Sequence, residues 1–386
     1  MVSKKVAVIL AIVFFIGALA GSYLYFSKQL GNQVSVSKYK SPGEQLNTQQ
    51  VADSGPKTEA CPMNGALYSV AQRKIWEQRR PLGIMIENHT DARPQSGLSS
   101  ADVIYEAVAE GGITRFLTIF YCQDVSPVGP VRSARIYFLR ILEGYGNYPL
   151  YAHVGGANTN GPADALGEIR DLGWDQYSDL NQFGVPFPYY YRDYERLANR
   201  ATEHTMYSAT AKLWEFARKQ RKLTNVDDKG KAWDAAWTPW KFKADAKAEN
   251  RETTNMISFD FWSQFGNQYA VVWNYDKTTN SYKRVNAGVP QMDKDTGKQL
   301  ASKNVAIVFA KESPANDGYP GGHLIYTVIG SGDGLLFQDG KTVKVTWNKK
   351  DEKSMMRFYD PTGKEVSLVR GQVFVEILPI GNKVTY

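Results

Sequence analysis

Residues 81–157 read PLGIMIENHTDARPQSGLSSADVIYEAVAEGGITRFLTIFYCQDVSPVGPVRSARIYFLRILEGYGNYPLYAHVGGA, and the alternation within this stretch decides the fold. Leu82 to Glu87 is an apolar run of strand length. Asp102 to Ala109 suits either a strand or a helix, because its period is ambiguous. Gly111-Gly112 followed by Arg115 to Tyr121 predicts a hairpin leading into a buried strand. Gly129-Pro130 predicts a helix running to about Glu143, since proline is favoured in the first helical turn. Tyr148 to Val154 reads as a strand that ends in Gly155-Gly156. Further on, Pro162 to Leu172 and Ala209 to Arg221 read as helices, with a Pro- and Tyr-rich surface loop over Asn181 to Tyr194. Strands alternating with helices imply an α+β fold with an α/β-like layered N-terminal domain. The loops between these runs hold most of the unusual polar residues, and loops on a rigid scaffold are where function concentrates.

Outward from this stretch the character changes in both directions. Upstream, Val6 to Phe26 is an uninterrupted apolar run, and about 20 such residues span a bilayer as a helix. Lys4 and Lys5 precede it, which places the N-terminus in the cytoplasm and the bulk of the chain outside. A signal-peptidase site at Ala18-Leu19-Ala20 is the alternative, but the apolar run continues past it. Residues 1–27 are therefore expected to be a cytoplasmic stub and transmembrane anchor, and 28–60 a polar, flexible linker. The first folded domain is expected over 61–223. Residues 224–254 are charged and dotted with Trp, and read as a linker or an insertion. From Asn255 onward short β-rich runs are separated by turn signals such as Asp339-Gly340, so 255–386 is expected to be a mainly β C-terminal domain.

Composition narrows the function classes. The chain has 386 residues, 43% of them hydrophobic, and a formal charge of +7. No basic run is long enough to argue for nucleic acid. No lysine lies between Lys74 and Lys212, yet that span carries Arg93, Arg115, Arg132, Arg135 and several other arginines. Arginine is the residue for two-pronged pairing with carboxylate or phosphate. The 23 Tyr and 9 Trp suit polar ligand grooves as well as cores. The only cysteines, Cys61 and Cys122, exclude a cysteine-based zinc site. In a domain outside the membrane they are expected to form a disulfide.

Neither a G-x-S-x-G, a P-loop nor a dinucleotide fingerprint is present. His89 and His153 each follow a strand-like run and can meet at one sheet edge, but neither shows helical ligand spacing, so no metal and no cofactor is expected. The run from Asp293 to Gly297 resembles part of a calcium loop without its later ligands and is expected to be a turn. The strongest constellation is an anion site. The expected helix start at Gly129-Pro130 offers free backbone N–H groups, with Arg132 and Arg135 in its first turn. The competing reading pairs these arginines with Glu106 or Glu110. The candidate ligand-binding residues are Asn88, His89, Arg93, Gln95, Glu110, Arg115, Arg132, Ser133, Arg135 and His153.

In the motifs Glu87-Asn88-His89, Ala92 to Leu98, Ala101 to Glu106, Glu110 to Arg115, Gly129 to Arg135 and His153 to Gly156, the chain resembles the YerB-like family of bacterial envelope proteins. That family consists of two catalogued domains of unknown function. The likeness resumes at Trp273 to Asp276 and Arg357 to Asp360. Members are often lipoproteins, whereas this chain carries an apolar run instead. Where the family tends to have His-x-Asp, this chain has Gln291-Met292-Asp293. The resemblance implies an extracytoplasmic envelope protein and supplies no catalytic residues. The expected function is binding of an anionic or glycan wall component, or of a wall-synthesis partner. The alternative is an enzyme, a phosphotransferase or hydrolase, acting on envelope glycans at the arginine-rich groove. A third reading has the motif loops serve packing alone.

Overall fold

The structure, a computed structural model, describes residues 55–252 and 256–386. The Val6–Phe26 run and residues 28–54 of the expected linker lie outside the described residues. Among the described residues no helix is long and apolar enough to cross a membrane.

The organising element is a mixed ten-stranded sheet. Its strands are β1 (Leu82–Glu87), β2 (Val103–Glu110), β3 (Ile113–Phe120), β4 (Leu150–His153), β5 (Asp179–Asn181), β6 (Asn304–Ala310), β7 (Gly330–Gln338), β8 (Lys341–Lys349), β9 (Arg357–Tyr359) and β10 (Val373–Pro379). Their order in the sheet is β9-β8-β7-β6-β10-β2-β3-β1-β4-β5. The last strand of the chain, β10, lies parallel to β2, with Val373 opposite Val103 and Glu376 opposite Glu106. Strands from 61–223 and from 255–386 thus share one hydrogen-bonded sheet.

The ambiguity of the Asp102–Ala109 run has a physical cause. β2 is central and buried along nearly its whole length, and a strand covered on both faces reads as a continuous apolar run with no alternation. The hairpin from β2 to β3 forms as expected, with Gly111 and Gly112 at φ of 57° and 75°. Such a turn favours glycine, and a Cβ on Gly112 would come within 2.2 Å of the Phe265 ring.

Among the described residues there are five α-helices: α1 (Val70–Trp76), α2 (Ile136–Leu142), α3 (Ala165–Asp171), α4 (Thr210–Gln220) and the single turn α5 (Gly266–Tyr269). α2 corrects an expectation. The helix starts at Ile136, not at Gly129-Pro130, because the preceding residues are extended and hydrogen-bond to other segments. Val131 N–H donates to Met206 O, Arg132 N–H to Met85 O, and Pro130 O accepts from Glu87 N–H. Part of the expected surface loop is also ordered, since Tyr190–Arg192 pairs with Met206–Ser208.

After residue 255 the expected short strands form. Met256–Phe259, Val271–Asp276, Ser281–Asn286, Val289–Pro290 and Ala301–Ser302 build a second, antiparallel sheet. Within 224–252, Trp233 and Trp240 are buried, and Phe242–Lys243 pairs with Leu368–Val369. One hydrophobic core draws on all these segments.

Candidate functional site

β1 and β4 run parallel and side by side. Their carboxyl ends carry Glu87-Asn88-His89 and His153-Val154-Gly155-Gly156. In α/β sheets this edge is where ligands bind. The extended segment 129–135 crosses here, bridging β1 through Ile86 and Val131 and reaching Gly156 through Ala134. The motifs singled out in the sequence therefore do converge. What converges is largely bonded to itself.

Asn88 is fully buried and donates through Nδ2 to Glu106 Oε1 at 3.0 Å and Thr114 Oγ1 at 2.8 Å. Arg93 wraps back to donate to Asn88 O at 2.8 Å and stands over the Tyr269 ring. Gln95 donates to Asn88 Oδ1 at 2.8 Å and accepts from Gln291 Nε2 at 3.1 Å. Gln291 in turn accepts from Arg284, which also pairs with Glu106. Arg284 lies 3.6 Å from Glu376, and all three ionic side chains are 0% exposed. Asp293 caps the contact, accepting from Ser99 and from its own turn at Asp295, so the Asp293–Gly297 run is a turn, as expected. Asn88, Arg93 and Gln95 hold two stretches of chain together and have little polar capacity left for a ligand.

Glu376 and Glu106 are cross-strand neighbours beneath a single guanidinium. Burial, and then the neighbouring Glu106 charge, push the Glu376 carboxyl well above the usual range. Of the pair, Glu376 is the one whose carboxyl is pushed toward its neutral form. Trp273 Nε1 donates to its Oε1 at 2.9 Å. Gln at this position keeps that acceptor and offers an N–H toward Glu106. Glu376→Gln should therefore stay within about 1 kcal/mol of the parent protein in urea unfolding, whereas Glu106→Gln should cost about 3 kcal/mol by stranding Arg284. Equal losses in the two variants would refute this division of charge.

A second cluster bears on the competing readings of the arginines. Arg135 pairs with Glu110, and Arg115 lies 3.2 Å from the other oxygen of the same carboxylate. Burial pushes the Glu110 carboxyl up, but Arg115 and then Arg135 outweigh it and hold it below the usual range. Burial, with Arg135 close by, brings the Arg115 guanidinium down to about 10. His323 stands 4.0 Å from Glu110 and is fixed by Asp317 at 2.6 Å. Arg132 pairs with Glu87 at 3.1 Å. The helix-start donors expected at Gly129-Pro130 are spent on neighbouring backbone. Ser133 contributes only its carbonyl, toward Arg115 at 3.5 Å.

The histidines do not meet as expected. His153 Nε2 faces Asp179 at 2.6 Å and Nδ1 faces Gly155 O at 2.7 Å. His89 instead stacks on His204, with ring centroids 4.8 Å apart and planes 11° from parallel. His204 Nδ1 contacts Glu87 Oε2 at 2.8 Å. Ligand atoms of His89, Asp91 and His204 lie within 4.8 Å of one another. Parallel stacked rings, however, send their lone pairs along separate planes, which is poor geometry for one tetrahedral ion. Sequence reasoning missed His204, Arg284 and Asp317. Their partners lie 117, 178 and 6 residues away, and only the 6-residue spacing is local enough to have been a signal.

The surface left open at this edge is small. The Arg132 side chain is 27% exposed above Glu87 at 4%, whereas Arg115 and Arg135 are each 8% exposed. Two clefts of about 550 and 250 Å³ lie elsewhere, one lined by Lys311, Ile329 and Trp347 and the other by Tyr148, Trp174 and Trp237.

A family model described as "Protein of unknown function (DUF3048) N-terminal domain" matches residues 69–224, and its C-terminal counterpart matches residues 261–375. Over 333 residues the chain is 31% identical to a Bacillus subtilis (strain 168) protein described as "Putative lipoprotein YerB", covering 85% of this chain and 88% of that one. The chain belongs to the DUF3048 family. A crystal structure of YerB from Bacillus subtilis resembles it with a TM-score of 0.67 at 27% identity, covering 85% of this chain and 100% of that one. The two DUF3048 matches account for the halves that β10 and β2 join. The network around Arg284, Glu106 and Gln95 lies across the junction of those halves.

Proposed function

We propose that this DUF3048 protein is an envelope-associated binding protein. In this reading it is membrane-anchored with its bulk outside, and it holds an anionic or glycan wall component, or a wall-synthesis partner, at the carboxyl edge of β1 and β4. Two features support the location. The related YerB is described as a "Putative lipoprotein", and a Cys61–Cys122 disulfide suits an oxidising compartment. Both cysteines of this sequence are consumed by that bond, so no thiol within it remains for a lipid. In this reading the Val6–Phe26 run is the anchor.

The observation that carries the binding reading is the partly exposed side chain of Arg132. Among the three inner arginines it alone keeps a substantial exposed face. Buried Glu87 orients it, and the His89–His204 stack stands beside it on the same carboxylate. An oriented guanidinium recognises phosphate or carboxylate in two-pronged fashion.

The test is thermal unfolding of the full chain with inorganic phosphate and with purified anionic wall polymer. A ligand present at 100 times its Kd stabilises by about 2.7 kcal/mol, and Arg132→Ala should abolish that gain while Arg132→Lys retains part of it. A ligand shift that survives in Arg132→Ala removes the site from this edge. Release of phosphate or of new sugar ends during incubation would instead favour the enzymatic alternative.

A further inference from the structure

At the opposite, amino-terminal end of β4 and β5 lies the pocket of about 250 Å³. Tyr148, Trp174, Trp233 and Trp237 are among the residues that line it, together with Lys231 and Lys353. We propose that this pocket binds a carboxylated sugar unit, with its ring against the aromatic walls and its carboxylate on Lys231 and Lys353. The inference does not rest on the reading of Arg132.

The aromatic lining is rigidly mounted. Buried Arg80 donates to the carbonyls of Asn147 and Tyr148 at 3.1 and 3.0 Å. Asn147 N–H donates to Trp233 O at 2.7 Å, and its side chain donates to Asp227 at 2.9 Å. Trp233 and Trp237 pack against each other with centroids 5.0 Å apart. The loop bearing Lys353 is held from beneath by Lys349, whose ammonium donates to the carbonyls of Asp351, Glu352 and Ser354. A pocket fixed before binding loses little ordering entropy when it fills.

Its polar groups select the ligand. The Trp237 indole N–H is buried and has no acceptor among the described residues. That donor is closed to solvent, so Lys231 and Lys353 carry the polar recognition. Apolar walls with a few convergent polar groups are the usual form of a small-molecule site. An aromatic pocket can also hold a quaternary ammonium. Here two exposed lysines oppose a cation. The one lining carboxylate, Glu143, is engaged by Arg140 at 3.2 Å, and burial pushes it up toward its neutral form.

The experiment is titration of the full chain, followed by tryptophan fluorescence and calorimetry, with N-acetylmuramic acid, N-acetylglucosamine and tetramethylammonium as probes. The acid should bind saturably, and the neutral sugar at least tenfold more weakly. Ala236→Phe should fill the pocket, and the Lys231→Glu/Lys353→Glu pair should reverse the charge of its lining. Each change should weaken the acid at least tenfold. All three positions are exposed, so melting temperatures should not change. Arg132→Ala should leave this binding intact, which separates it from the site at the other edge. Absence of saturable sugar binding, preference for tetramethylammonium, or binding unaffected by Ala236→Phe would each overturn the proposal.

Discussion

Arg284→Met should destabilise the protein by about 3–5 kcal/mol, because it leaves the buried Glu106 carboxylate without its cation. Arg284 comes from the second sheet and reaches Glu106 on β2 and Glu376 on β10, with no exposure to solvent. The rings of Phe116, Trp273 and Phe374 surround its guanidinium at 5.2 to 5.6 Å, so water cannot replace what the arginine supplies. Arg284→Lys retains the charge but not the planar fork that serves Glu106 and Gln291 together, and should fall between the two. Urea unfolding with tryptophan fluorescence measures both. Because the residue links the two family halves, the methionine variant should also broaden or split a transition that is single in the parent. A loss below about 1 kcal/mol, with one sharp transition, would mean that strand pairing alone joins the halves and that the ionic network is incidental.

That network shows what the sequence could and could not reveal. The strands at Leu82–Glu87 and Ile113–Phe120, the Gly111-Gly112 turn and the α4 helix were legible because their signals are local. The short-stranded character after residue 255 was legible for the same reason. The Gly129-Pro130 helix start was misread. Proline at that position suits a first helical turn, but tertiary partners at Met85 and Met206 took the backbone groups a helix would have needed. The motif residues were recognisable as unusual long before their roles were. Asn88, Arg93 and Gln95 invite a binding reading because polar residues in loops often bind ligands. Their partners Gln291, Gln268 and Asn286 lie far along the chain, so nothing local distinguishes structural polarity from functional polarity. The arginines divide the same way. Of the competing readings, pairing with Glu110 holds for Arg135, while Arg132 pairs with Glu87, another acid of the same span. The tryptophans at 233 and 237 were noted only as part of a possible linker. Their common pocket depends on Trp174 and Tyr148, which come from a different stretch.

The Cys61–Cys122 bond was legible, and removing it should have an effect of comparable size. It closes a loop with a sequence separation of 61 residues, for which the chain-entropy model gives about 4 kcal/mol. The bond lies over a second constraint. Buried Asp102 accepts from Tyr121 N–H at 2.7 Å, Cys122 N–H at 3.0 Å and Asn64 Nδ2 at 2.7 Å. Asp102 therefore ties both cysteine segments to the start of β2 without the sulfur bridge. If these bonds hold the segment in the unbridged protein, Cys61→Ser/Cys122→Ser will fold, with a urea midpoint lowered in proportion to the lost loop constraint. Adding reductant to the parent should reproduce that midpoint and leave the double variant unchanged. A loss below about 1 kcal/mol would mean that the unfolded chain is already restricted near Asp102, so that the bridge removes little entropy. Adding Asp102→Asn to the serine variant separates the two constraints. If the two constraints back each other up on the same loop, the combined loss should exceed the sum of the separate losses, because either one alone keeps the loop closed and only the combined change releases it.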